Sequence, residues 1–317
     1  MRRGILLASR FRAELAPCLR NLSIADTSIH MERGLHGVFR WAAIIGGMAG
    51  TMLLLLLARP MLQSPRGALG PTILQAASPA MAAAVFVVGF ILACAVAAIV
   101  GRFTNSVVGL FTLGWGLTVL TLGLESIEEL AFTPAASPLM VSIETLLLSI
   151  LLCIAAVIVF RVAGPLPDML PRHGAHEPDG AFSAPALQAS LAGLAVVPVV
   201  WLLAQSPLKG QAYMAVFVGA MLAGLLGRLM APHAAPLLLF VTPCVFGGLA
   251  QLAAAVMLKQ PLDQSHVSGT IPHVLLPMPL DVAAGTLAGT AFGLGWARSF
   301  IHQQDEAKST NDAPAVS

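Results

Sequence analysis

Two carboxylates stand where the chain is otherwise apolar. Glu144 follows Leu139, Met140, Val141 and Ile143, and Asp281 sits at the lip of the glycine-notched stretch PMPLDVAAGTLAGTAFGLGWAR, residues 277–298. A carboxyl group inside a membrane is costly, and those that persist serve proton or cation traffic by default. Each of these two precedes an arginine by seventeen residues, Arg161 for Glu144 and Arg298 for Asp281. On a helix that interval covers roughly 25 Å, against a hydrocarbon layer of about 30 Å. With the arginines at one edge, both acids are expected just inside the other, at equivalent heights. The plainer role for Asp281, just after Pro279, is to complement the positive end of a helix at its first turn. For Glu144 the plainer role is an interfacial position.

A second group of acids, Glu125, Glu128 and Glu129, falls in LESIEELAF. Three- and four-residue spacings put Glu125 near the other two on a helix, and such a face draws cations. Its ordinary alternative is a solvated acidic loop. These five carboxylates are the candidate substrate- or ion-responsive residues. Asp263, His266 and His273 are of types that bind transition metals, but their spacing matches no closed or catalytic zinc signature, so no metal and no cofactor is expected. The same holds for His173, His176, Glu177 and Asp179. In FVTPCVFGG, Pro243 removes a helical hydrogen bond and Thr242 can bond to the nearby backbone. Thr242, Pro243 and Gly247 therefore mark a candidate helix break, of the kind transporters place at their sites, or a packing kink.

The elements that must hold these residues are membrane helices. The chain of 317 residues is 57% hydrophobic and 10% charged, far from soluble averages of about 45–50% and about 25%. Runs long enough to cross a bilayer occur at about 41–58, 80–100, 106–124, 139–160, 187–205, 211–230, 236–258 and 280–297. The expected fold is an all-α polytopic bundle of about eight transmembrane helices. Gly285, Gly289 and Gly293 form GxxxGxxxG, a small-residue face on which another backbone can approach closely. Asp281 lies one step of four before it. Gly46 with Gly50, and Ala223 with Gly227, are weaker versions of the same pattern.

The stretch 161–186 is rich in proline and glycine and reads as a cytoplasmic linker. It divides the chain into a basic arm at 1–40, which is a possible amphipathic surface helix, a four-helix half at 41–160, a second half at 187–300, and a disordered tail at 301–317. AVFVVG at 84–89 resembles AVFVG at 215–219, and with the equal acid-to-arginine spacing this suggests two parallel halves. Eight spans put Arg2, Arg3, Arg10, Arg12, Arg20, Arg33, Arg40, Arg102, Arg161, Arg172, Arg228, Arg298 and Lys308 on one side. Arg59, Arg66, Lys209 and Lys259 fall on the other. By the positive-inside rule the thirteen mark the cytoplasm, with both termini there. The expected location is the plasma membrane, a bacterial inner membrane.

Cys18, Cys94, Cys153 and Cys244 form no CxxC pair, which is against a disulfide framework. Phosphate-loop, HExxH, GxSxG and Rossmann signatures are also absent, so the chain is not expected to act as an ATP-driven pump or an ordinary hydrolase, and no nucleic acid partner is expected. The leading functional expectation is a transporter or permease for a small solute or cation. The alternative is a noncatalytic structural or scaffold subunit of a membrane complex, and a lipid-modifying membrane enzyme comes third. Expected partners are the lipid bilayer, anionic headgroups at the basic face, and further copies or subunits of a membrane complex.

Overall fold

The computed structural model describes residues 37–133, 136–164, 166, 180 and 182–311, with backbone only beyond residue 301. Residues 1–36 of the basic arm, with Cys18, and most of the linker with its histidines lie outside the described residues. The chain divides into two units between Ile45 and Gly46. In the first, residues 37–45 are helical; the description below concerns the second.

The protein is all-helical, with no strand among the described residues. Five helical segments are long and apolar enough to cross a membrane: α1 (Gly37–Met61), α2 (Pro79–Phe103), α5 (Pro138–Ala163), the stretch Ala184–Leu203, and α8 (Lys209–Met230). The stretch Ala184–Leu203 is interrupted: α6 (Ala184–Ser190) and α7 (Val196–Leu203) flank a 3-10 segment, Leu191–Ala195. Two shorter apolar helices, α3 (Ser106–Leu122) and α9 (Thr242–Met257), pack among them. Short α4 (Ile127–Ala131) and α10 (Leu262–Val267) lie in connections, and α11 (Pro279–Asn311) closes the chain.

Helix starts follow familiar rules. Proline occupies the first turn of α2, α5, α6 and α9, where its missing N–H costs no hydrogen bond. Asn105 ends the short turn after α2 by accepting a hydrogen bond from Val108 N at 2.9 Å, which caps α3. Arg102, Arg161 and Arg228 stand in the last turns of α2, α5 and α8, where a cation complements the helix dipole. Close approaches of Gly101 to Ala163 and to Gly109 bring the end of α2 beside the end of α5 and the start of α3. This is the arginine end of the bundle.

Helix α11 is the core element. Every residue from Leu275 to Ala291 is buried, and α11 packs against α3, α5, α8 and α9. A helix apolar on all sides is at home only when surrounded. Its glycine face meets α8: a Cβ at Gly289 would strike the Phe217 carbonyl, one at Gly293 would strike that of Met221, and one at Gly285 would come within 2.8 Å of Val216 Cγ1. Gly224 of α8 returns the contact: a Cβ there would come within 2.7 Å of Thr290 O. On another face, a Cβ at Gly114 of α3 would come within 2.9 Å of Ala288 N.

Four expectations need correction. The run at 236–258 is not one helix: a 3-10 segment, Pro236–Phe240, breaks at Val241 before α9. The interruption falls beside the helix-break candidates Thr242 and Pro243, with Pro243 in the first turn of α9. Thr242 Oγ1 does not bond to the backbone but is buried without a hydrogen-bond partner among the described residues. The backbone of the tail is helical through Asn311, in a segment where Gln, Glu, Ala and Lys are good helix formers. Finally, the tight glycine of α1 is Gly47, against Val100; a Cβ at Gly46 would meet nothing within 4 Å.

Candidate functional site

Asp281 is the third residue of α11, after Pro279 and Leu280. At that position a carboxylate can reach back to the N–H of the residue preceding the helix, as in a capping box. Its Oδ2 accepts from Met278 N at 2.9 Å. The same oxygen is 3.0 Å from Lys209 Nζ, at the first residue of α8. Oδ1 accepts from the Thr121 hydroxyl of α3 at 2.6 Å. Lys209 also donates to Glu125 O at 3.2 Å. One turn further along α8, the Tyr213 hydroxyl pairs with Thr118 of α3 at 2.9 Å. Asp281 is 0% exposed, so it is the buried knot that ties the starts of α8 and α11 to the end of α3.

Glu144 is 2% exposed and sits two turns into α5. Its two oxygens accept from successive backbone N–H groups, Ile73 at 2.8 Å and Leu74 at 2.9 Å. These belong to the connection between α1 and α2, which folds inward so that Leu62, Gly70, Thr72, Ile73 and Ala76 are buried. A loop carried into a bundle brings peptide groups that water no longer serves. Glu144 satisfies two of them. Gln75 steadies the same loop against Ser137, whose N–H donates to Gln75 Oε1 at 2.8 Å. Beside Glu144, Thr145 donates to Gln251 Oε1 at 2.6 Å, and Gln251 donates to Pro277 O at 2.8 Å. That chain of bonds runs from α5 through α9 to the residues before α11.

The three acids of LESIEELAF do not share one environment. Glu125 and Glu128 are exposed. Glu129 turns inward to accept from Ser64 Oγ at 2.6 Å and to pair with Arg66 at 3.4 Å. Arg59 donates to Gly123 O at 2.9 Å, at the end of α3. Three cations from elsewhere in the chain, Arg59 at the end of α1, Arg66 after it and Lys209 at the start of α8, therefore dock on this acid-bearing end, although the acidic loop contains no cation of its own. Asp263, His266 and His273 do not converge: the His266 ring packs edge-on against Phe132, and His273 Nδ1 lies 3.0 Å from Trp201 O. Among the described residues no group of three His, Cys, Asp or Glu is placed to hold a metal. Cys94, Cys153 and Cys244 are free thiols.

Of the helix-break candidates, Thr242 meets the other interruption of the fold. Gly193, inside the 3-10 segment, lies so close to Thr242 that a Cβ would come within 2.5 Å of its Oγ1. Gly247 faces Val282 of α11.

Sequence reasoning found both carboxylates and missed their partners. Lys209 carried a signal, as the one cation at the start of an apolar run on its side. Thr121, Ile73 and Leu74 carried none, because backbone donors and a lone threonine look alike everywhere in a sequence. Neither Glu144 nor Asp281 is among the lining residues of the cavity between α3, α8 and α11. Comparison with protein families, with characterised proteins and with solved structures finds no match to this chain.

Proposed function

We propose that this chain is a noncatalytic membrane subunit, a scaffold of eight spans in two four-helix halves, with both termini and the arginine end in the cytoplasm of a bacterial inner membrane. The observation that carries this reading is that both oxygens of each intramembrane acid are engaged by donors of the fold itself. Asp281 has an ammonium, a hydroxyl and a peptide N–H, and Glu144 has two peptide N–H groups. Carboxylates that carry ions need a path and an open coordination position; these two act as fasteners. Close-packed glycine seams support a rigid body rather than a moving one. The eight-span count is supported by α3, α9 and the apolar part of α11 lying among the five longer spans. Basic residues at the arginine end favour contact with anionic headgroups, and the wide apolar surface favours further copies or other subunits.

The test has two parts. In mild-detergent extracts of its native membrane, the chain should migrate in an assembly larger than one copy. In vesicles, the purified protein should pass no cation or proton current above the protein-free background. Migration as a single copy, or a gradient-driven uptake lost in Glu144→Gln while thermal stability is kept, would overturn the scaffold.

A permease for a small solute is the second reading, and one observation favours it. Two interrupted segments meet where Gly193 faces the buried, unpartnered Thr242 hydroxyl, and broken helices are where transporters bind substrate. Solute uptake abolished by Thr242→Val, with folding intact, would move the assignment to this reading.

A further inference from the structure

A cavity of about 730 Å³ opens at the arginine end between α3, α8 and α11. Its volume lies within the range of about 300–1,000 Å³ typical of small-ligand sites. The wall is apolar and aromatic, formed by Phe111, Met221, Phe292 and Trp296. Phe292 and Trp296 are more than half exposed, so the cavity is open on the side where lipid would lie. Arg298, exposed, lines it too; Arg228 also lines it but is buried and donates to Ala234 O at 3.2 Å, and no Asp or Glu is among its described lining residues. Asn105 and Val108 bring the start of α3 to the same wall, and a helix start carries partial positive charge.

An apolar trough ending in the exposed Arg298 guanidinium and a helix start, with the buried charge of Arg228 behind them, has the charge pattern of an amphiphile with an anionic head. We propose that this groove binds an anionic phospholipid, with the phosphate at Arg298 and the start of α3, and one acyl chain along Phe111, Phe292 and Trp296. Guanidinium is well matched to phosphate because its planar fork donates two parallel hydrogen bonds. From Ala291 to Arg298 the wall runs roughly 10 Å along α11, which is long enough to hold the upper part of an acyl chain. Tryptophan at this level fits the headgroup boundary, where its ring is apolar and its N–H can be wet. The inference rests on the membrane placement proposed above and is independent of the scaffold role.

The test uses the full chain in an uncharged detergent, titrated with phosphatidylglycerol, phosphatidylcholine or glycerol phosphate while its melting temperature is followed. A ligand that binds only the folded state raises that temperature in a saturable way. Phosphatidylglycerol should do so, and the other two should not. Arg298→Gln should weaken the apparent affinity about tenfold, the loss of roughly one charge-assisted contact. Gly295→Leu should abolish the saturable rise, because it places a side chain in the groove where a Cβ would meet nothing within 4 Å, so the unliganded fold is preserved. An equal rise with phosphatidylcholine would overturn the headgroup assignment, and an equal rise with glycerol phosphate would overturn the acyl site. A rise unchanged in Gly295→Leu would place the lipid elsewhere. A cation flux in vesicles would refute the scaffold and leave these outcomes as they stand.

Discussion

At Asp281 the chain answers why an acid is tolerated in an apolar core. The carboxylate is 0% exposed and the Lys209 side chain 15%, so each is the other's means of staying charged away from water. Removing one partner of such a pair strands the other and costs about 3 kcal/mol. Asp281→Asn should therefore lower stability by about that much, even though asparagine can still accept from Met278 or Thr121. A mutant cycle with Lys209→Met checks the cause: the double variant should be more stable than Asp281→Asn alone. If Lys209→Met brings no recovery, the loss lies in the cap and not in the ion pair. Glu144→Gln should cost about 1–3 kcal/mol, since an amide offers one oxygen to two donating N–H groups and turns its own N–H₂ toward one of them. The specific readout is faster amide exchange at Ile73 and Leu74; unchanged protection there would refute the anchoring of the loop by Glu144.

Among the elements, α11 depends on the absence of side chains where it crosses α8. A leucine at Gly289 would have to displace the Phe217 carbonyl, and backbone in a packed helix pair has nowhere to go. Gly289→Leu should prevent recovery of a monodisperse folded protein, or lower its melting temperature steeply. Gly46→Leu is the matched control, because a Cβ there meets nothing within 4 Å, whereas Gly47→Leu would run into Val100. Tolerance of Gly289→Leu equal to that of Gly46→Leu would refute the seam. The start of α9 illustrates a different point about elements. Pro243 favours a helix start over a helix interior, so one apolar run becomes a 3-10 turn followed by a helix.

For the molecule as a whole, the proposed placement can be checked by single-cysteine labelling in a background without native cysteines. Pro65 and Ser268 are exposed in connections at the acid-bearing end. A membrane-impermeant maleimide added to intact cells should modify Pro65→Cys and Ser268→Cys, and should reach Gly174→Cys only after permeabilisation. Labelling of position 174 in intact cells would reverse the orientation. Labelling of position 65 but not 268 would change the span count.

Composition alone made this a helical membrane protein, because long apolar runs with few charges have one stable arrangement in lipid. The glycine spacing in 285–293 likewise announced a close helix contact, since the four-residue period is local and covalent. Which helix lay across that seam was not written there: α8 was chosen by three-dimensional fit, through Gly224 and the carbonyls of Phe217 and Met221. The two acids were visible as residues out of place, yet their surroundings were not. Asp281 is paired with a lysine 72 positions away, and Glu144 with peptide groups about 70 positions away. Charge burial is a property of the assembled bundle, and only its closure shows which donors each acid meets.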